Sequence, residues 1–209
     1  EVSLVEAQKQ NTNAEVGDIL KVPVHSDKFG RIATQNAKNV ILQKIREEER
    51  KVLFDQYHGN EKEVVTGIVQ RVVGHNVSVN LGKADAILAE NEQVKGETFK
   101  PTERIKVYIL EVKDTPKGPR ILVSRTHPGL VKRLFESEVA EVKDGTVEIK
   151  SIAREAGSRT KLAVWSNDPD VDPVGACVGV NGARVSAIVN ELRGEKIDII
   201  NWDENPAGW

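Results

Sequence analysis

Apolar positions recur along the chain with different rhythms, and the changes of rhythm divide it. Residues 1 to 27 are mostly polar, with one alternating run from Ile19 to Val24. Pro23 sits inside that run and lacks an N–H, so the run reads as an edge strand. From Gly30 to about Tyr57 the period lengthens. Ala37, Ile41, Ile45 and Val52 fall near one face and Glu47, Glu48, Glu49 and Arg50 on the other, which predicts a long connecting helix.

Between 61 and 126 the period shortens to two. β-rich runs occupy Val64–Val73, Asn76–Leu81, Ala84–Leu88, Ile105–Val112 and Ile121–Ser124. Turn signals separate them at Gly74-His75-Asn76, Gly82-Lys83 and Lys117-Gly118-Pro119. Five short strands in so few residues predict a small barrel, because closure removes exposed edges. The excursion from 89 to 103, between the third and fourth strands, matches an OB layout.

From 128 onward the rhythm changes again. Leu130, Leu134, Phe135 and Val139 predict a helix, and Thr146–Arg154 and Thr160–Trp165 a strand pair. Pro173 opens a short helix that ends at Gly179. Val185, Ile188, Val189 and Leu192 mark one face of a second helix, closed by Gly194. Ile197 and Ile199 then alternate as a last strand. The order is α-β-β-α-α-β, that of a type II KH domain. The fold class is therefore α+β multidomain: a partial α/β N-terminal region with a connecting helix (1–60), a five-stranded OB barrel (61–127) and a KH domain (128–209).

Composition narrows the function. The net charge is −2 and 30% of residues are charged, which is not the signature of a strongly basic nucleic-acid binder. The barrel segment is mildly positive, with eleven basic and nine acidic side chains between 61 and 126. Cys177 is the one cysteine, so no intrachain disulfide forms, which fits a reducing, cytoplasmic setting. No apolar run is long enough for a membrane span, and no secretory signal is visible. The chain opens on Glu1 and has no methionine, as expected of a piece of a longer protein.

The chemistry-bearing candidate is the turn Gly179-Val180-Asn181-Gly182 between two helices. The second helix begins with unpaired N–H groups and partial positive charge. Two residues without Cβ let a sugar–phosphate chain approach the backbone. A helix–G-x-x-G–helix followed by a strand is the KH arrangement for gripping single-stranded RNA. On this reading, aspartate at both glycines abolishes RNA binding and leaves the fold intact. On the barrel, Lys62, Arg71, Lys83, Lys106 and Arg125 offer phosphate contacts, while only Phe99 and Tyr108 are aromatic, so binding there is expected to be weak and electrostatic.

Other motifs point away from catalysis. His25, His58, His75 and His127 show no metal spacing. Ala183 and Arg184 follow Gly182, so there is no Walker loop. Asp168, Asp170 and Asp172 lack the glycine and glutamate of an EF-hand and read as a turn. Cys177 reads as a packed thiol. No catalytic residue, metal or cofactor is expected.

Four stretches carry a resemblance: KFGRIATQNAKNVILQKIREEER (28–50), SRTHPGLVKRLFESEV (124–139), IAREAGSRTKLAV (152–164) and DPVGACVGVNGARVSAIVNELRGEKIDIINWDENPA (172–207). Through them the chain resembles the NusA family of bacterial transcription factors, in its Gram-positive form, over essentially its full length. The resemblance implies a shortened RNA polymerase-binding N-terminal domain, an S-one-type OB barrel and the first of two KH domains. It implies a monomeric, non-enzymatic elongation factor that acts in pausing, termination and antitermination. Its partners would be RNA polymerase, nascent single-stranded RNA and other antitermination factors.

The same resemblance implies that Gly179, Val180, Asn181, Gly182, Ala183 and Arg184 touch the RNA backbone. Bases would lie in a groove floored by Ile197 and Ile199. KH turns commonly carry a cation at a middle position, where this chain has Val180 and Asn181; Arg184 is the candidate substitute. Two rival classes share these modules. An exoribonuclease such as polynucleotide phosphorylase places its KH domain before the barrel, and ribosome-associated KH proteins are usually strongly basic. Order and charge disfavour them respectively.

Overall fold

The computed structural model describes residues 3–9, 13, 15–19, 21, 30–205 and 207. The chain forms two compact units, Glu1–Glu47 and Glu48–Trp209. In the first, helix α1 spans Leu4–Gln8, and helix α2 begins at Arg31 and runs on to His58. The edge strand expected at Ile19–Val24 lies largely outside the described residues, and the described Ile19 and Lys21 carry no strand. The apolar stripe of α2 exists as a stripe but is not buried. Ile41 is 60% exposed, and Ile45 and Val52 are exposed too. Periodicity marks a face, and burial additionally requires an element packed on it.

The second unit begins with the last turns of α2. Leu53, Phe54 and Tyr57 pack against the core of a closed five-stranded barrel. Its strands are β1 (Val64–Val73), β2 (Asn76–Asn80), β3 (Asp85–Leu88), β4 (Arg104–Thr115) and β5 (Gly118–Ser124). They close in the order β1-β2-β3-β5-β4, with β3 parallel to β5 and every other pair antiparallel. The alternation behind the strand assignment is the barrel's inside and outside. Val77 and Val79 of β2 and Ala86 and Leu88 of β3 point inward and are buried. The Tyr57 hydroxyl donates to the Leu81 carbonyl oxygen and accepts from the Lys83 N–H, fixing the helix end on the barrel.

The KH segment follows without a gap in packing. Helix α3 spans Pro128–Glu138 and α4 is a single turn, Ala140–Lys143. Strands β6 (Val147–Glu155) and β7 (Arg159–Ser166) form a hairpin. Helices α5 (Pro173–Val178) and α6 (Ala183–Glu191) precede β8 (Lys196–Asn201), which pairs in parallel with β7 and leaves its other edge open. The expected order thus holds, with α4 added. Leu130, Val131, Leu134 and Phe135 of α3 meet Leu162, Val164 and Ile188 in one core. Burial of each such side chain contributes roughly 1.5–3 kcal/mol.

A buried ion pair ties this sheet together. Arg154 and Glu195 are each 1% exposed at the side chain. Glu195 also accepts from the Gly157 N–H and the Thr160 hydroxyl, while Arg154 donates to the His127 carbonyl oxygen. Every charge in the cluster is partnered, the condition under which buried ions are tolerated.

Candidate nucleic-acid interface

The turn between α5 and α6 is built by backbone geometry. Gly179 has φ 74 and ψ 175, a conformation reserved almost wholly for glycine. Asn181 (φ 52, ψ 26) and Gly182 (φ 74, ψ 16) are left-handed, a region that asparagine tolerates better than most residues. Gly182 N–H donates to the Gly179 carbonyl oxygen at 3.1 Å, closing the turn. Val180 is 83% exposed, and Asn181 is exposed beside it. Gly182 precedes α6 with no side-chain cap, so the first N–H groups of that helix have no side-chain partner at the cap.

The two glycines differ in what they tolerate. A Cβ on Gly182 meets nothing nearer than 3.9 Å. On Gly179 it would stand 2.7 Å from Cγ of Arg184. The expectation that aspartate at both positions leaves the fold intact is therefore corrected for Gly179, where the side chain needs a forbidden conformation and occupied space.

Arg184 explains that crowding. Its Nη1 donates to Glu141 of α4 at 2.9 Å and to the Ala176 carbonyl oxygen at 2.7 Å. The guanidinium braces the two helices and α4 from behind the turn. Ala183 is exposed at the start of α6. Ile197 and Ile199 are half-buried on β8 and pack on the KH core beneath α5 and α6, next to the open strand edge.

The barrel candidates do not gather into one groove. Arg71 is exposed at a bulge of β1, and Lys83 is exposed in the loop that meets Tyr57. Lys62 is exposed and left-handed at φ 63, and its carbonyl oxygen accepts from Arg133. Lys106 is half-buried and faces α3. Arg125 is no phosphate ligand: its side chain is 1% exposed. It donates twice to Glu97, at 2.7 and 2.8 Å, and to the carbonyl oxygens of Lys106 and Glu191.

Both barrel aromatics are similarly committed. Tyr108 is buried in the KH core cluster and stacks on His127, with ring centroids 4.5 Å apart. Phe99 is half-buried, with the Arg193 guanidinium 5.1 Å from its ring centroid. Arg193 also donates to the Thr98 carbonyl oxygen and to Glu103. The barrel's own aromatics thus serve the junction with the KH segment and offer no stacking platform. Residues of this junction, Glu97, Glu103, Glu191 and Arg193 among them, carried no sequence signal that set them apart from solvated charges.

Other candidates resolve into structure. Among the described residues no cluster of three His, Cys, Asp or Glu side chains could hold a metal ion. Asp168 caps the N–H of Asp170, and Asp172 that of Val174 at the start of α5. Burial pushes the Cys177 thiol up to about 11, so it stays protonated and unreactive at neutral pH. No helix among the described residues is long and apolar enough to cross a membrane.

Three family models match successive parts of the chain. Residues 1–51 match the NusA N-terminal domain, 59–124 the S1 RNA binding domain and 125–202 the NusA-like first KH domain. The chain is 56% identical over 207 residues to the transcription termination/antitermination protein NusA of Bacillus subtilis, covering 99% of this chain and 56% of that protein. It is 53% identical to the protein of the same name from Halalkalibacterium halodurans, covering 99% and 54%, and 42% identical to that of Thermus thermophilus, covering 99% and 54%. The chain therefore spans about half the length of the curated relatives it matches.

Proposed function

The chain belongs to the NusA family, and from that premise we propose that it is the N-terminal, S1 and first KH portion of a non-enzymatic transcription elongation factor. It binds RNA polymerase through residues 1 to 60 and nascent single-stranded RNA through the KH segment. In this way it modulates pausing, termination and antitermination in the cytoplasm as a monomer, together with other antitermination factors.

The observation that carries the RNA half of this reading is the turn. Two glycines at positive φ hold Val180 and Asn181 out to solvent ahead of an uncapped helix start. A phosphate chain crossing there meets N–H donors and no Cβ. Bases then fall toward Ile197, Ile199 and the open edge of β8. Arg184 supports the turn from behind, and Val180 and Asn181 present no cation, so affinity at this site is modest. Fluorescence anisotropy with an unstructured oligoribonucleotide and a duplex of the same length tests this half. Preference for the single strand is expected, and equal binding would reject it. Retention of RNA polymerase on the immobilised chain, lost when residues 1 to 47 are removed and the helix end that packs on the barrel is kept, tests the other half.

The missing cation makes a graded prediction. Asn181→Lys adds one phosphate contact, worth up to about fivefold in affinity at low salt. The slope of log K against log salt steepens by about 0.7. Lysine fits a φ of 52 less well than asparagine, so stability falls by about 1 kcal/mol. A salt titration of both forms checks the slope. Coincident slopes mean residue 181 does not face the phosphates.

A further inference from the structure

A cleft of about 480 Å³ lies between the barrel and the first KH helices, apart from the turn. Its polar wall is formed by Thr66 of β1, Lys106 of β4, Arg133, Glu136 and Ser137 of α3 and Lys143 of α4. Two carboxylates, Glu63 and Glu136, also line the cleft, and both are held by the single guanidinium of Arg133. Arg133 pairs with Glu63 at 3.1 Å and with Glu136 at 2.5 Å, and its Nε donates to the Lys62 carbonyl oxygen. The ammonium groups of Lys106 and Lys143 have no ion-pair partner among the described residues. The cleft therefore sets three cations against two carboxylates, a net charge of about +1 that matches one phosphodiester, with Lys106 and Lys143 outside the ion pairs and the hydroxyls of Thr66 and Ser137 on the same wall. That is the chemistry of a phosphate site: point charges for the anion and short hydroxyl donors for its oxygens.

The cleft is also mechanically joined to the turn. Glu141, two residues before Lys143, holds Arg184 at 2.9 Å, just past the turn. At the other end of α6, the Glu191 carboxylate accepts from the Lys106 N–H at 3.1 Å. Both cation-bearing elements are thus pinned to the helix that the G-x-x-G turn opens.

We propose that this barrel–KH cleft is a second phosphate subsite, taking a phosphodiester of the RNA strand whose neighbouring nucleotides occupy the turn. The proposal rests on the turn as an RNA site for its source of phosphate. A free nucleotide phosphate has the same chemistry and is the other source.

The test uses the full chain with Lys143→Glu and Lys106→Met, each checked for an unchanged melting profile, alongside Gly182→Asp. Binding is measured for a four-nucleotide and a twelve-nucleotide single strand, and for AMP and inorganic phosphate by amide chemical shifts of Ser137 and Lys143. The expected result is that the twelve-mer gains affinity and salt dependence over the four-mer in the wild type. Each lysine variant should lose that gain, up to about fivefold for one contact, with the slope falling by about 0.7. Four-mer binding should be unchanged in Lys143→Glu. Loss of AMP or phosphate shifts in Lys143→Glu, with twelve-mer binding intact, supports the site and assigns it to free nucleotide. Unchanged twelve-mer, AMP and phosphate binding in both lysine variants overturns it. An equal loss for four-mer and twelve-mer also overturns it, because the lysines then act as diffuse charge. A Gly182→Asp variant that binds the four-mer normally refutes the turn instead, and the nucleotide arm still judges the cleft.

Discussion

Replacing Arg125 by alanine is expected to lower the unfolding free energy by about 3–5 kcal/mol, the range for removing one partner of a buried ion pair. The side chain is 1% exposed and its partner Glu97 is 6% exposed. The substitution strands that carboxylate, and it also strips the carbonyl oxygens of Lys106 and Glu191 of a donor. Urea denaturation measures the loss. The same experiment reports what Arg125 joins. Trp165 lies on β7 and Trp202 directly after β8, and all three tryptophans of the chain fall after residue 164, outside the barrel, so fluorescence follows the KH segment while circular dichroism follows both. In the wild type the two transitions should coincide. In the variant they should separate, because the rivet between barrel and KH segment is gone. The double variant Arg125→Met with Glu97→Leu should recover part of the loss. Both buried charges are then removed together, but the two carbonyl groups stay unpaired at about 1–3 kcal/mol each. A single-variant loss under about 1 kcal/mol would show that Arg125 finds water or that Glu97 moves, and that the junction does not depend on the pair.

That arginine marks the boundary of what sequence reasoning reached. The barrel strands and the KH order were legible because alternation of period two, helical spacing and turn glycines are local patterns, and each survives in the folded chain. Val77 and Val79 alternate in the sequence and point inward in the barrel for the same reason. Arg125 was not legible. It sits in SRTHPG, where a charge normally faces water, and its partners lie 28 residues earlier at Glu97 and 66 later at Glu191. Nothing local announces such a meeting. That Arg193 lies against Phe99 and His127 against Tyr108 likewise has no local sign. The candidate site divides in the same way. The turn was readable from its glycines, whereas the orientation of Arg184 depends on Glu141, 43 residues before it. The apolar face of α2 was legible as a face and its exposure was not, since exposure is decided by what packs against it.

Gly182→Asp is expected to remove RNA binding at the turn, on the order of a hundredfold, while the KH segment stays folded. Gly182 sits at φ 74 and ψ 16, a left-handed conformation that aspartate adopts more readily than most residues, and an added Cβ meets nothing within 3.9 Å. The new carboxylate lies at the start of α6, where the helix dipole favours negative charge by about 0.3–1 kcal/mol, offsetting most of the backbone strain. It also stands where a phosphate would approach the same N–H groups. Two charge-assisted hydrogen bonds of about 1.5–3 kcal/mol each are forfeited, and like charges are brought together. Gly179→Asp is a poorer probe, because its Cβ would collide with Arg184 at 2.7 Å and ψ 175 at positive φ is closed to side chains. A binding loss there would not separate a damaged turn from a blocked phosphate. Gly182→Asn supplies the control, keeping the left-handed backbone and the size of the side chain without the charge, and it should retain most of the affinity. Anisotropy titrations of the three proteins with one single-stranded oligonucleotide, each with its melting curve, decide the matter. If Gly182→Asp melts and binds as the wild type does, the turn is a structural corner and the RNA path lies elsewhere on the chain.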